Sequence, residues 1–332
     1  MSGRILVTAR SFRKTEGPHK QILRDAGYEL VECPNEQPLP AAELAEWIAD
    51  VDGAILGLDA VTAAVLDRAN RLRVISRYGV GVDAVDVAAA TRRGVVVTII
   101  PGANSVAVAE LALALLLALA RSIPYHDRGA RQGRWTRVQG MELYGATLGI
   151  VGLGRIGREV AQRAVCLGMR VLFHDPLVTG ALPGLAAKPC ALEELLATSD
   201  AVSLHLPLTD ATRHLIDAEA LGRMKPTAYL INTARGGLVD EQALYQALAQ
   251  KQIAGAACDV FATEPPDASG LVALDNFIAM PHIGSATHQT TLRMGLMAAQ
   301  NALAVLRGER PVGVVNPEVD RPLDTGQERC RI

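Results

Sequence analysis

Three short stretches of this sequence combine groups that bind anions with groups that move protons. Arg235 lies in Asn232-Thr233-Ala234-Arg235-Gly236-Gly237, Glu264 in Asp259-Val260-Phe261-Ala262-Thr263-Glu264-Pro265, and His282 in Pro281-His282-Ile283-Gly284-Ser285-Ala286-Thr287. An arginine can hold a carboxylate through two parallel hydrogen bonds. A histidine exchanges a proton near neutral pH, and a carboxylate beside it orients the ring and keeps it protonated. Together these are the parts of a hydride-transfer site. Singly, each has a plainer explanation: Arg235 as a surface ion-pair partner, Glu264 as a loop carboxylate before prolines, His282 as a helix cap. Each stretch follows an apolar run that reads as a strand. Its polar residues then fall past the strand's carboxyl end, where open α/β sheets bind ligands.

A fourth stretch points to a nucleotide. Gly152-Leu153-Gly154-Arg155-Ile156-Gly157 follows the apolar run Thr147–Val151 and precedes a helical pattern. In such a turn the first glycine permits a tight bend, the second lets backbone approach a pyrophosphate, and the third lets helix and strand pack closely. The amides opening the next helix face the anion. Asp175 lies 23 residues beyond Gly152, close to the spacing of about 20 for a carboxylate that binds the adenosine ribose. Such a carboxylate accepts from the ribose hydroxyls and repels a 2′-phosphate, so NAD rather than NADP is expected. The plainer alternative is a strand-end Asp that caps a turn with Pro176.

The elements that must position these groups alternate along the chain. Strands are expected at Ile5–Thr8, Ala54–Leu56, Val74–Ser76, Val95–Thr98, Leu148–Val151, Val171–His174, Ala201–His205, Ala228–Ile231, Ala254–Cys258 and Phe277–Ala279. Helical segments such as Ala41–Ala49, Arg155–Leu167 and Glu241–Gln250 lie between them. Strand–helix alternation predicts an α/β fold of doubly wound parallel sheets. Two places read as crossings between domains. One is Pro101-Gly102-Ala103-Asn104, before the apolar run Val106–Ala120; the other is Pro281–Ser285, before the helical pattern Ala286–Leu306. Residues 1–101 and 286–332 then form one domain, with 102–285 inserted into it. A helix as apolar as Val106–Ala120 is expected to be covered on all sides. The polar tail after Pro317 is expected to be an irregular arm.

Composition narrows the function classes. The 332 residues exceed what one core usually organises, and 49% of them are hydrophobic against 20% charged, which argues against disorder. With 33 basic and 35 acidic residues the net charge is −2, so nothing drives binding to a phosphate backbone and no nucleic-acid partner is expected. No membrane span is expected either: Val106–Ala120 is shorter than the roughly 20 residues a span needs and contains Glu110. The first residues read as a strand rather than a secretion signal. Cys33, Cys166, Cys190, Cys258 and Cys330 form no Cys-x-x-Cys pair. They read as reduced thiols of a cytoplasmic protein, and no metal site is expected.

From about Leu72 to Thr287 the sequence resembles the D-isomer-specific 2-hydroxyacid dehydrogenases, and among them the phosphoglycerate dehydrogenase branch. The motifs above carry the resemblance, with Ser76-Arg77-Tyr78-Gly79-Val80-Gly81-Val82-Asp83, Pro101-Gly102-Ala103-Asn104-Ser105, His205-Leu206-Pro207 and Asp240-Glu241. It implies a Rossmann-type NAD domain inserted into a smaller flavodoxin-like substrate domain. It implies that Arg235 binds the substrate carboxylate and keto oxygen, and that His282, paired with Glu264, is the acid/base. The Gly79–Gly81 amides, with Tyr78 and Val80 in the same stretch, and Asn104 would complete the substrate site. Gly152, Gly154, Arg155, Ile156, Gly157, Asp175, Pro207, Thr212, Thr233 and Asp259 would line the cofactor site. Arg77 would face a second anionic group on the substrate, as an arginine at this place faces the phosphate in phosphoglycerate dehydrogenases. Its plainer alternative is a strand-end arginine in a surface ion pair. Arg92 and Arg137 could add charge, although Arg92 reads as a solvated helix end and Arg137 as part of an arm.

Family members are usually homodimers, here through residues 106–144, where Trp135 would reach the partner's site or pack in the core. The regulatory domain that many phosphoglycerate dehydrogenases carry is not expected, nor is serine feedback through it. The expected function is therefore NAD-dependent hydride transfer on a small-molecule 2-hydroxy or 2-keto acid, one with a second anionic group. Two alternatives stand beside it. One is an NAD-sensing binding protein or corepressor of the same fold. The other is a different small-acid dehydrogenase: formate-oxidising relatives pair the histidine with glutamine, whereas Glu264 stands here, but phosphite-oxidising relatives keep the glutamate.

Overall fold

The computed structural model describes residues 3–34, 36–268 and 270–319. Most of the expected arm after Pro317, and Cys330, lie outside them. The chain divides into two compact units, residues 1–104 with 285–332, and residues 105–284.

The first unit is built on five parallel strands: β1 (Arg4–Val7), β2 (Glu29–Glu32), β3 (Gly53–Leu56), β4 (Val74–Arg77) and β5 (Val96–Thr98). Their order is β2-β1-β3-β4-β5, the flavodoxin-like doubly wound arrangement. Both faces are buried, as a parallel sheet requires. Ile5, Val7, Ile55, Val74 and Val96 pack with Met294, Ala298 and Ala302 of the His288–Arg307 helix. Leu6, Ala54, Leu56, Ile75 and Val97 pack on the opposite face with Leu44, Ile48, Val65 and Ala89. Polar staples fix the long helix: Ser76 Oγ donates to the Ala298 carbonyl at 2.9 Å and Asn301 Nδ2 to the Ile99 carbonyl at 3.0 Å.

The second unit holds seven parallel strands: β6 (Thr147–Val151), β7 (Arg170–His174), β8 (Ala187–Pro189), β9 (Ala201–Leu204), β10 (Tyr229–Asn232), β11 (Gly255–Cys258) and β12 (Phe277–Ala279). Their order, β12-β11-β10-β9-β6-β7-β8, reverses between β6 and β9. That is a Rossmann sheet, and the reversal opens the crevice in which such sheets bind nucleotides. Leu148, Ile150, Val171 and Phe173 pack on one face with Leu116, Leu119, Val160 and Ala164. Val202, Leu204, Leu230 and Ala256 pack on the other with Leu195, Leu244 and Leu248.

Three features depart from the sequence reading. Strands β2 and β8 were not expected. Both are edge strands, Glu-Leu-Val-Glu and Ala-Lys-Pro, whose charged or proline residues suit an unpaired edge but break the apolar run that marks a strand. The helix Ser105–Ala120 is not covered on all sides: Val106, Glu110, Ala114 and Leu117 form an exposed stripe along it. Trp135 is no core residue of this chain, with 81% of its surface exposed. Among the described residues no single helix is long and apolar enough to cross a membrane.

Candidate active site

Register places the candidate residues of the second unit in one row. Val151 pairs with His174 and with Leu204, and Asn232 pairs with Leu204 and with Cys258. One residue past these partners the sheet ends, side by side, in Asp175, Gly152, His205, Thr233 and Asp259.

Candidate cofactor residues meet in this row. Gly152 has φ 93°, and a Cβ there would lie 2.5 Å from the His205 carbonyl oxygen; a Cβ on Gly157 would lie 2.1 Å from the Gly152 oxygen. Only glycine fits either position. A Cβ on Gly154 would meet nothing, so open space lies beside it at the start of the Arg155–Cys166 helix. Arg155 is exposed and Ile156 half-buried on its first turn. Asp175 closes the turn from the next strand, its Oδ2 accepting from the Leu153 amide at 2.7 Å and its Oδ1 from the Leu177 amide at 2.8 Å. It therefore caps its own turn, as the plainer alternative had it, while also tying down the glycine-rich one. Thr212 Oγ1 donates to the Pro207 carbonyl at 2.8 Å, which joins those two candidates in one loop. The Thr233 hydroxyl is buried and has no partner. A cradle that admits only glycine and a desolvated hydroxyl at the crevice both fit a dinucleotide.

His205 belongs to the same row but was read only as part of a matching stretch. Its Nε2 lies 2.8 Å from Ser203 Oγ. Burial pushes its pKa down to about 3, so the imidazole stays neutral at any working pH. The sequence signal was its place at the end of a strand, one residue before the loop to Pro207.

The candidate proton-transfer pair forms past the neighbouring strand ends. His282 Nδ1 lies 2.8 Å from Glu264 Oε2, with side chains 35% and 31% exposed. The Glu264 hydrogen bond raises the His282 pKa above its ordinary value, against burial, which lowers it; the Glu264 charge adds to the rise. Burial pushes the Glu264 carboxyl up, but the hydrogen bond and charge of His282 outweigh it, and the net shift is downward. The Arg235 charge acts on both groups, lowering each pKa. Asp259 secures the histidine loop: its Oδ1 and Oδ2 accept from the Ile283 and Gly284 amides, each at 2.7 Å. Burial raises the Asp259 pKa in spite of these two bonds. Glu264 is fixed in turn by the Phe261 amide at 3.1 Å, and Glu241 Oε1 accepts from the Ala262 amide at 2.6 Å.

The candidates of the first unit follow β4 and β5. Arg77 is 4% exposed; its Nε donates to the Gly81 carbonyl and its Nη1 to the Leu56 carbonyl, both at 3.2 Å. It is not the surface arginine of the plainer alternative. Its guanidinium clamps the Gly79-Val80-Gly81 loop to the end of β3. Tyr78 likewise serves packing, with its hydroxyl on the Thr291 carbonyl at 3.1 Å and its ring edge-on to Phe12. Burial pushes its pKa up to about 12. Gly79 and Val80 are half-buried, and Asn104 Oδ1 is buried with no partner. Arg92 and Arg137 are exposed.

A glycine-rich turn at a Rossmann switch point, beside an Arg–Glu–His set, defines an NAD-dependent oxidoreductase. Comparison with known proteins specifies which kind. The family model described as D-isomer specific 2-hydroxyacid dehydrogenase, NAD binding domain, matches residues 113–284. A glyoxylate reductase of Korarchaeum cryptofilum is 42% identical over 93% of this chain and 96% of its own length. A D-3-phosphoglycerate dehydrogenase of Methanocaldococcus jannaschii is 44% identical over 84% of this chain, which spans 54% of that relative. Among solved structures, the TT0316 protein of Thermus thermophilus superposes with a TM-score of 0.85 at 43% identity, over 94% of this chain and 99% of that one. This chain belongs to the D-isomer specific 2-hydroxyacid dehydrogenase family.

Proposed function

We propose that this protein reduces a small 2-keto acid to its 2-hydroxy acid with NADH. The observation that carries the reading is the His282–Glu264 contact at 2.8 Å with the Arg235 charge acting on both members. Arg235 holds the substrate carboxylate and polarises the keto oxygen. His282, kept protonated by Glu264, gives its Nε2 proton to that oxygen. When bound, NADH supplies the hydride to the keto carbon. The glycine-rich turn, Arg155, Ile156, Asp175, Pro207, Thr212, Thr233 and Asp259 hold the cofactor, with Asp175 directing the choice of NAD over NADP. In the first unit we assign substrate contacts to the Gly79, Val80 and Gly81 backbone and to Asn104, whose buried Oδ1 awaits a donor.

The size of the acid follows from Arg77. A second anionic group was expected on its account, but its Nε and Nη1 are engaged by the Gly81 and Leu56 carbonyls. We therefore favour a compact monoanionic keto acid of the glyoxylate kind. The glyoxylate reductase that matches this chain along nearly its full length supports that choice. The phosphorylated alternative keeps the support of the Methanocaldococcus relative. The deciding experiment follows NADH absorbance with glyoxylate, hydroxypyruvate, pyruvate and a phosphorylated keto acid. Best turnover of the phosphorylated acid would overturn the compact-substrate reading, and turnover of none would overturn the enzyme reading of the site.

We also assign the active form as a cytoplasmic homodimer formed through residues 106–144. Val106 and Leu117 on the exposed helix stripe, with Trp135 and Tyr144 at 81% and 82% exposure, leave more apolar surface than a monomer needs. Light scattering on the protein and on Leu117→Glu tests it: a wild type that is already monomeric refutes the assignment.

A further inference from the structure

Arg235 sits on a loop whose start is held by one buried side-chain amide, beside the backbone bonds Leu238 N–H to the Arg235 carbonyl and Val239 N–H to the Gly236 carbonyl. Asn232, the last residue of β10, is fully buried. Its Oδ1 accepts from the Ala234 amide at 3.1 Å and its Nδ2 donates to the Arg235 carbonyl at 2.8 Å. Its backbone is paired to Leu204 on one side and Cys258 on the other, and its carbonyl accepts the Asp259 amide at 2.9 Å. The clamp reaches the guanidinium through Ala234, whose carbonyl accepts from Arg235 Nη1 at 2.7 Å. On the far side the loop lies so close to the Phe261 backbone that a Cβ on Gly236 would fall 1.9 Å from the Phe261 carbonyl carbon.

We propose that Asn232 is a positioning residue for Arg235: a short buried side chain that supplies an acceptor to the Ala234 amide and a donor to the Arg235 carbonyl, and so sets where the guanidinium meets its anion. Asparagine suits the task because it carries both functions. Aspartate would supply only acceptors, and an apolar side chain would leave the Ala234 amide without its acceptor and the Arg235 carbonyl with the Leu238 amide alone, at 3.3 Å. The inference rests on the reading of Arg235 as the carboxylate anchor.

The test is a double-mutant cycle on binding of oxamate, an unreactive keto-acid mimic, to the enzyme–NADH complex. Arg235→Ala should weaken oxamate roughly 10- to 150-fold, the span of a charge-assisted hydrogen bond. Asn232→Ala should weaken it about tenfold, and the double variant should bind no more weakly than Arg235→Ala. The pH at which kcat falls should stay at the wild-type value in Asn232→Ala, because Glu264 and His282 do not hang from this side chain. Additive losses, or unchanged oxamate binding in Asn232→Ala beside a weakened Arg235→Ala, overturn the inference and leave the anchor intact. Unchanged binding in Arg235→Ala overturns the anchor itself. If Asn232→Ala does not fold, Asn232→Asp replaces it in the cycle: it keeps the acceptor for Ala234, removes the donor to Arg235, and should still show the coupled loss.

Discussion

His282 holds a left-handed backbone, φ 55°, and Asp259 is the residue that pins it there. The Asp259 carbonyl accepts the His282 amide at 3.0 Å, and its carboxylate takes the next two amides of the loop. A non-glycine residue in this conformation costs of order 1–3 kcal/mol and persists only where its surroundings over-determine it. Here three bonds from one buried residue do so. Asp259→Asn keeps the shape but turns an NH2 group toward an amide donor. It should cost about 1–3 kcal/mol of stability and lower kcat roughly tenfold as the ring loses its aim. Thermal melting with steady-state kinetics checks this; a variant that matches wild type in both would show that the loop holds itself.

The His282–Glu264 pair makes the reaction pH-dependent in a defined sense. In the proposed reaction, reduction needs His282 protonated, and Glu264 raises the pH at which that proton leaves. Glu264→Gln should therefore shift the fall of kcat for keto-acid reduction to lower pH, and His282→Ala should lower kcat by about 10²-fold or more. Stability moves with the same two shifts. The pair contributes fully between the unfolded pKa values of about 4.3 for Glu and 6.5 for His. The contribution fades above, as pH rises through the raised histidine pKa, and below, as pH falls through the lowered glutamate pKa. An unchanged pH–rate profile in Glu264→Gln would dissolve the pairing.

How far the sequence could be read depended on whether a residue's task left a local mark. Central strands such as Leu148–Val151 announce themselves by unbroken apolar runs, because both of their faces are buried. The edge strands Glu29–Glu32 and Ala187–Pro189 carry no such run and went unread. The glycine-rich turn was legible because close backbone approach demands glycine at fixed spacing. Arg235, Glu264 and His282 are legible as candidates because together, past strand ends, their residue types suit anion binding and proton transfer. Arg77 shows where spacing stops informing: a buried arginine that satisfies carbonyls and one that meets an anion have the same sequence context. Both Asn232 and Asp259 stand in these motifs, but what Asp259 holds lies 24 and 25 residues away, which no spacing rule shows. What Asn232 holds, two and three residues on in its own motif, depends on the direction its side chain takes at the strand end.

The proposed cofactor choice turns on Asp175. Its two carboxylate oxygens hold the Leu153 and Leu177 amides, so Asp175→Ala should weaken both NADH and NADPH by loosening the glycine-rich turn. Removing the negative charge should help only the phosphorylated cofactor. The ratio of kcat/KM for NADH over NADPH should therefore fall, even though kcat/KM for NADH also falls. A ratio that stays at its wild-type value would take the discriminating role away from this carboxylate.

Arg77 separates the two substrate readings. If it clamps the loop, Arg77→Met leaves the Gly81 and Leu56 carbonyls without those donors. The Gly79–Gly81 backbone then loosens, and KM should rise by a similar factor for glyoxylate and for a phosphorylated keto acid. Melting temperature should fall too: the Leu56 carbonyl keeps the Tyr78 amide at 2.9 Å, but the Gly81 carbonyl loses its side-chain donor, and a buried group left unpaired costs about 1–3 kcal/mol. If instead Arg77 meets a second anion, the loss should be confined to the phosphorylated acid, roughly 10- to 150-fold for a charge-assisted bond, with glyoxylate spared. Arg77→Lys sharpens the comparison, because a lysine keeps the charge but cannot span two carbonyls with the planar fork of a guanidinium. A clamp is broken by that exchange, whereas an anion site is only weakened. Recovery of the phosphorylated substrate's KM in Arg77→Lys would restore the second-anion reading, and an equal rise for both acids in both variants would confirm the clamp.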